Sequence, residues 1–388
     1  MQTILCFLCL GASLAATPAD FAVHEWGTFT LVVGSDGRML SGLEVEEESL
    51  PPFVLGLAGY SSASKGIARP VSGVTVKMET PVLYFYSDEP RTVRVEVGFR
   101  GGAITQWYPD RIGGEQLPGT SSLPRATPPA PIDFGAGHRG AAWWQVDVLG
   151  RDTPLAISAP RNQETLQWPR ARVAGANRLR GIKGEVEGFI FYRGMGNFAL
   201  PLQVTAAGGG PTLHNAGAER IPFAFLYENR APAGESVVWW SGALAAGEKV
   251  TADTRDAIGC MSASRFIEGT LPRELVRAGL TVDEARAMLA TWRESYFQRP
   301  GLRLFWIVPR AFTDTILPIT ITPRPAKLER VLVGRTEILT PAFEAELVRE
   351  FALDGGKRWI ADRYYRAYRE RVRQLSGAVD VAPGRRAL

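Results

Sequence analysis

Thr92-Val-Arg-Val-Glu-Val-Gly-Phe99 alternates without interruption: Val93, Val95, Val97 and Phe99 fall on one side, Arg94 and Glu96 on the other. A period of two marks a strand with one face in a core and the other in water. The stretch reads as a half-buried antiparallel strand. The Asp88-Glu-Pro90 turn ahead of it predicts a hairpin with a strand at 81–86.

Working outward, residues 20–33 read as a strand because β-branched and aromatic side chains dominate them. The pattern continues at 104–108, 141–149, 188–192, 199–206, 221–227 and 236–244, with turn residues between the segments. Many short strands at such spacing predict a mainly β, antiparallel, sandwich-like domain over residues 17–255. A polar excursion rich in Pro and Gly interrupts it at 109–137. The pattern changes after Cys260. A helix is expected at 272–278, and Thr281-Val-Asp-Glu284 forms a capping box for the next. Strands follow at 303–308, 316–321 and 328–334, and Thr340-Pro341 opens another helix. Residues 256–376 are therefore expected to form a smaller α+β C-terminal region, with a flexible tail at 377–388.

The last helix, expected at 357–375, carries a stripe of Ala361, Tyr364, Tyr365, Tyr368, Val372 and Leu375. Arg363, Arg366, Arg369, Arg371 and Arg373 should point largely away from it, giving a helix docked by its tyrosines with a solvated basic face. The net charge of +4 is concentrated there: residues 357–388 hold nine basic and three acidic side chains. The basic character thus belongs to the end of the chain and not to a nucleic-acid surface across the fold.

At the other end, Ile4 to Leu14 is almost wholly apolar and small residues follow at Ala15 and Ala16. This reads as a signal peptide over residues 1–16, although no Lys or Arg precedes the apolar run. The run is too short to span a bilayer, and no transmembrane segment is expected in the mature chain. Leu8 before Cys9 argues against lipidation. The mature chain, periplasmic or extracellular, would retain only Cys260, which reads as an inert buried thiol.

Two kinds of candidate site emerge. In His24-Glu25-Trp26-Gly27-Thr28, His24 is a metal-ligand type and Glu25 a base type. Neighbours on a strand face opposite ways, so the two share a site only if a bulge intervenes. His24, His138 and His214 are the three histidines. Were they to converge, they could hold one divalent metal ion whose bound water attacks a substrate while Glu25 takes its proton. The second candidate is a stacking surface for sugar rings made by Trp107, Tyr108, Trp144 and Trp240. Within Trp143-Trp144 and Trp239-Trp240, one member of each pair should enter the core and the other face outward. Glu44, Glu46, Glu47 and Glu48 read as a solvated acidic face, and Ser62-Ala-Ser-Lys65 lacks the companion motifs of penicillin-binding enzymes. Phosphate-loop and dinucleotide fingerprints are absent, which disfavours a nucleotide enzyme.

Several stretches taken together resemble a family of uncharacterised exported bacterial proteins. They are Val23-His-Glu-Trp-Gly-Thr-Phe-Thr30, Lys77-Met-Glu-Thr-Pro-Val-Leu-Tyr-Phe-Tyr86, Ile104-Thr-Gln-Trp-Tyr108, Phe191-Tyr-Arg-Gly194, Ile321-Thr-Pro-Arg-Pro325 and Val333-Gly-Arg-Thr-Glu337. The resemblance implies a bacterial source and an envelope location, and it transfers no activity. The resulting expectation is an exported, non-catalytic module that binds glycan or envelope protein. The alternative is an exported metal-dependent hydrolase using His24 and Glu25.

Overall fold

The computed structural model describes residues 21–45, 50–57, 71–116, 132–134, 137–155, 167–206, 208–254 and 260–377. The expected signal peptide, Ser62-Ala-Ser-Lys65, Glu46 to Glu48, most of the 109–137 excursion and the end of the tail lie outside these residues.

The molecule is mainly β, with a large mixed sheet and a smaller C-terminal helical region. Strand Phe21–Val33 lies inside that sheet. It runs parallel to Lys327–Ile338 over twelve paired positions, from Ala22 opposite Lys327 to Val33 opposite Ile338. On its other side it pairs antiparallel with Val82–Ser87. Lys327–Ile338 passes the sheet on to Gly301–Ile307, then Ile221–Asn229 and Val237–Leu244, all antiparallel. The antiparallel expectation therefore holds for most pairs and fails for this long one, because the chain returns to its own first strand only after some 300 residues, long enough for a parallel crossover.

Both faces of Phe21–Val33 are covered, and all thirteen of its residues are buried. Val23, Phe29, Leu31 and Val33 share one core with Val93, Val95, Val97 and Trp144, contributed by the part of the sheet that folds back over them. Trp26 belongs to a second core with Phe225, Phe305 and Trp292, closed by the helices. A strand dry on both sides needs a nearly continuous run of β-formers, which is what residues 21–33 supply.

Strand Arg91–Arg100 alternates buried and exposed as its sequence demands, paired antiparallel with Arg139–Val148 over ten positions and with Ile319–Thr322 on its other edge. The hairpin expected across Asp88-Glu-Pro90 does not form. Val82–Ser87 pairs with Phe21–Val33 and Ile190–Gly196, whereas Arg91–Arg100 has other neighbours, so the turn carries the chain between layers. Gly102–Tyr108 is buried on both faces instead of alternating.

The expected division near residue 255 is not a division of the sheet, since Gly301–Ile307 and Lys327–Ile338 are integral to it. The helices start where their caps predict. The Thr281 hydroxyl accepts from the Glu284 amide, and the Glu284 carboxylate accepts from the Thr281 amide. Thr340 caps Pro341–Asp354, which ends at left-handed Gly355. The last helix is shorter than expected, Tyr365–Ser376: Asp362 accepts from the Tyr364 amide and holds residues 360–364 in turns before it. Arg371 does not join the solvated face. It is buried, donating to Glu344 at 2.6 Å and Asp36 at 2.9 Å. Glu44 is likewise buried and ion-paired with Arg366. Cys260 is half-buried where full burial was expected, because it precedes a short strand, Met261–Ser262, on the margin of the sheet.

Candidate functional site

The strand that carries His24 and Glu25 separates them as its period requires, and no bulge brings them together. His24 Nδ1 lies 3.0 Å and 3.1 Å from the two oxygens of Glu284 on helix Val282–Trp292. Tyr86 donates to the same carboxylate at 2.7 Å. Burial opposes ionisation of Glu284, but the His24 contact, the Thr281 amide and Tyr86 outweigh it and hold the carboxyl below its ordinary range. This group clamps the helix onto the sheet.

Glu25 faces the other core. It accepts from Tyr192 at 2.5 Å and from Arg330 Nε at 2.5 Å. Arg330 also donates to Asp314 and to the Leu317 carbonyl, each at 2.7 Å. A carboxylate with both oxygens occupied by an arginine and a phenol, and walled from solvent, is a structural anion and not an accessible base.

The three histidines are not brought together. His138 pairs with Glu115 beside Phe134, and His214 lies opposite Gln203 and Lys249 in a separate three-stranded sheet. Among the described residues, no group of three or more His, Cys, Asp or Glu side chains is arranged to hold a metal ion.

The expected aromatic surface is not a surface either. Trp144 is 0% exposed, Tyr108 3% and Trp107 6%. Trp144 donates to the Pro109 carbonyl, Tyr108 packs on Phe53 and Trp168, and Arg111 covers the Trp107 ring at 3.8 Å. The Trp143-Trp144 pair does split as expected, with Trp143 38% exposed. Trp239 and Trp240 are both half-buried. Leu226 pairs with Trp240 but Tyr227 with Val238, so Trp239 is the extra residue of a bulge and strict alternation is lost there.

The structure instead assembles a cleft of about 540 Å³ at the end of strands Gly301–Ile307 and Lys327–Ile338, closed by the C-terminal helices. Phe343, Trp359, Tyr364 and Tyr368 line it. Trp359 meets Phe343 and Tyr368 edge-on, at 5.3 Å and 5.5 Å between ring centres. Its indole N–H is buried and has no hydrogen-bond acceptor among the described residues. Arg303 and Glu337 add charge, paired at 2.7 Å. From there a chain of buried polar groups runs inward: Arg335 donates to Glu337 at 2.7 Å and to the Tyr364 hydroxyl at 3.0 Å, and Lys77 lies over the Tyr364 ring. Lys77 and Arg193 then flank Glu79, at 3.4 Å and 3.7 Å.

Burial works against the Glu337 anion, and Arg303 and Arg335 overcome it, keeping this carboxyl below its usual range. Burial pushes the Tyr364 phenol up to about 12. Lys77 is pulled below the ordinary lysine value by burial, with Glu79 opposing the shift. The cleft is thus walled by aromatic rings beside fixed, ionised groups. Nothing in the sequence reading pointed to Trp359. The signal was the Gly355-Gly356 pair, which ends the preceding helix three residues before this tryptophan and turns the chain back over the cleft.

No family model matches the chain, and no curated protein matches it. Among solved structures, the mu-homology domain of yeast delta-COP-I is similar at 8% identity, covering 82% of this chain and 97% of that one, with a TM-score of 0.29. The same domain complexed with the Dsl1 WxWxV peptide gives a TM-score of 0.28. Likeness at this level carries no argument about the site. Among the described residues, no helix is long and apolar enough to cross a membrane.

Proposed function

We propose that this chain is an exported, non-catalytic glycan-binding protein whose ligand occupies the cleft walled by the half-buried rings of Phe343 and Trp359. The observation that carries the reading is the cleft itself: the half-buried rings of Phe343 and Trp359, with the Arg303–Glu337 pair fixed next to them. Sugar rings offer apolar C–H faces to aromatic rings and hydroxyls to planar polar groups, and this wall supplies both. Its volume lies in the range of small-ligand sites, roughly 300–1,000 Å³. The role expected of exposed tryptophans is kept, but at different residues. Export rests on the apolar run before Ala15-Ala16 and on the resemblance of the motifs around His24 and Lys77.

The test is a glycan array probed with the mature protein, followed by calorimetry on the glycans retained. Trp359→Ala, checked for an unchanged unfolding midpoint, should weaken binding by about tenfold or more. An array with no retained glycan, or equal affinity in the variant, refutes the reading. N-terminal sequencing of protein recovered from an envelope extract should begin after Ala16.

A further inference from the structure

The cleft continues past its aromatic wall. A side pocket of about 200 Å³ opens from it at the margin of the small three-stranded sheet, where Pro211 and Thr254 line it. Glu228, Leu302 and Thr340 line both cavities. The side pocket is smaller than a self-standing ligand site, roughly 300–1,000 Å³, so it is an extension of the cleft. Strand geometry sets the chemistry of the junction. Glu228 stands opposite Leu302, whereas Arg303 stands opposite Tyr227 and Glu337. Opposed residues share a face and successive residues alternate, so Glu228 points away from the Arg303–Glu337 pair. The three other carboxylates of the cleft each hold an arginine: Glu337 with Arg303, Glu346 with Arg358, and Asp362 with Arg299. Glu228 holds none among the described residues. Its Oε2 accepts from Trp239 Nε1 at 2.8 Å, and its Oε1 accepts no hydrogen bond among them. The nearby Arg230 guanidinium lies over the Trp239 ring, 6.0 Å from its centre. Thr340 Oγ1 accepts from the Phe343 amide at 3.2 Å, which leaves its hydroxyl proton to donate.

We propose that the ligand of the cleft is a linear oligosaccharide and not a single sugar. One ring lies against Phe343 and Trp359, and the chain then passes Glu228 and Thr340 so that the next unit, itself uncharged, enters the side pocket. The inference rests on the glycan reading of the cleft; the second unit rests on the shared junction. An ionised carboxylate only accepts, so the group placed against Glu228 must donate, as a sugar hydroxyl or an acetamido N–H does. Hydrogen bonds to a charged acceptor are about twice as strong as neutral ones, which makes this contact the main gain from an added unit. A uronic acid at the same position would set one carboxylate against another. The Thr340 hydroxyl supplies the matching donor to a sugar oxygen, so the junction meets both roles of a neutral sugar.

The experiment is calorimetry on the full mature protein, beside the glycan array, with cello- and chito-oligosaccharides of one to four units as probes. Affinity should rise by about tenfold from the single sugar to the longer members and then level off, because the added unit gains hydrogen bonds to a charged acceptor. Glu228→Ala should remove most of that rise. Thr254 lines the side pocket and not the cleft, so Thr254→Phe should remove the rise by filling the pocket; it carries the test if Glu228→Ala lowers the unfolding midpoint. Oligogalacturonates of the same lengths should show no rise. An array that retains no glycan refutes the cleft reading itself. Retention on the array with no binding of either series, with affinity flat in chain length, with an undiminished rise in both variants or with an equal rise for oligogalacturonates overturns the extension while the cleft reading stands.

Discussion

Replacing Arg330 by methionine should be among the most damaging single changes in the sheet, and neutralising Glu25 in the same chain should return part of the loss. The Arg330 guanidinium is fully buried and donates to Glu25, Asp314 and the Leu317 carbonyl. Without it the Glu25 carboxylate is stranded in the core with only the Tyr192 hydroxyl as donor. Removing one member of a buried ion pair costs about 3–5 kcal/mol, mostly as the penalty of the orphaned charge. In Arg330→Met/Glu25→Gln no charge is stranded, and the amide still accepts from Tyr192. Asp314 is half-exposed and can turn to water, which leaves the Leu317 carbonyl as the main unsatisfied group. That loss is about 1–3 kcal/mol, so the second substitution should recover about 2 kcal/mol. Urea unfolding followed by tryptophan fluorescence measures both numbers as midpoint shifts at constant slope. A single variant that loses less than about 1 kcal/mol, or a double variant worse than the single, would refute a buried structural pair. The same data bear on Glu25 as a base, for which Glu25→Gln would abolish an activity at little cost in stability.

Acid should loosen the helical cover. Glu284 and Glu337 both have folded-state values below the ordinary one, so their contribution is complete above the unfolded glutamate value of about 4.3 and is lost as pH falls through the lower folded values. The stability difference between wild type and Glu284→Gln should therefore shrink as pH falls from 6 through and below the unfolded glutamate value of about 4.3; a constant difference contradicts the assignment. Gly334→Ala should destabilise by about 1–3 kcal/mol, because its methyl would meet Trp306 Nε1 at 2.3 Å and Phe29 at 2.9 Å; an unchanged melting temperature would show that the strand yields there. Trp144→Ala should cost about 3–5 kcal/mol and leave glycan affinity untouched at temperatures where the variant is folded; a selective loss of affinity would return this residue to the binding surface.

How much of this was legible follows from the range of each interaction. Local chemistry predicted local structure well: alternation in residues 92–99 gave a half-buried strand, Thr281 and Glu284 gave a capping box, and Thr340-Pro341 gave a helix start. The opposite orientations of His24 and Glu25 follow from strand geometry alone. What lies on the other side of each residue does not. Glu25 became a core anion because Arg330, some 300 residues away, faces it, and Arg371 turned inward because Glu344 and Asp36 wait there. The Trp107–Tyr108 and Trp143-Trp144 stretches read alike as possible ring platforms, and only the layers around them decided which rings met water.

The sequence by itself determined a β-rich chain with a helical, arginine-laden end, since backbone propensity, period and charge reside in neighbouring residues. The pairing of the first strand with Lys327–Ile338, the burial of its polar side chains and the cleft beneath Trp359 were decided by tertiary structure. Each depends on groups far apart in sequence meeting across a solvent-free interior, where an unmatched charge is too costly to keep.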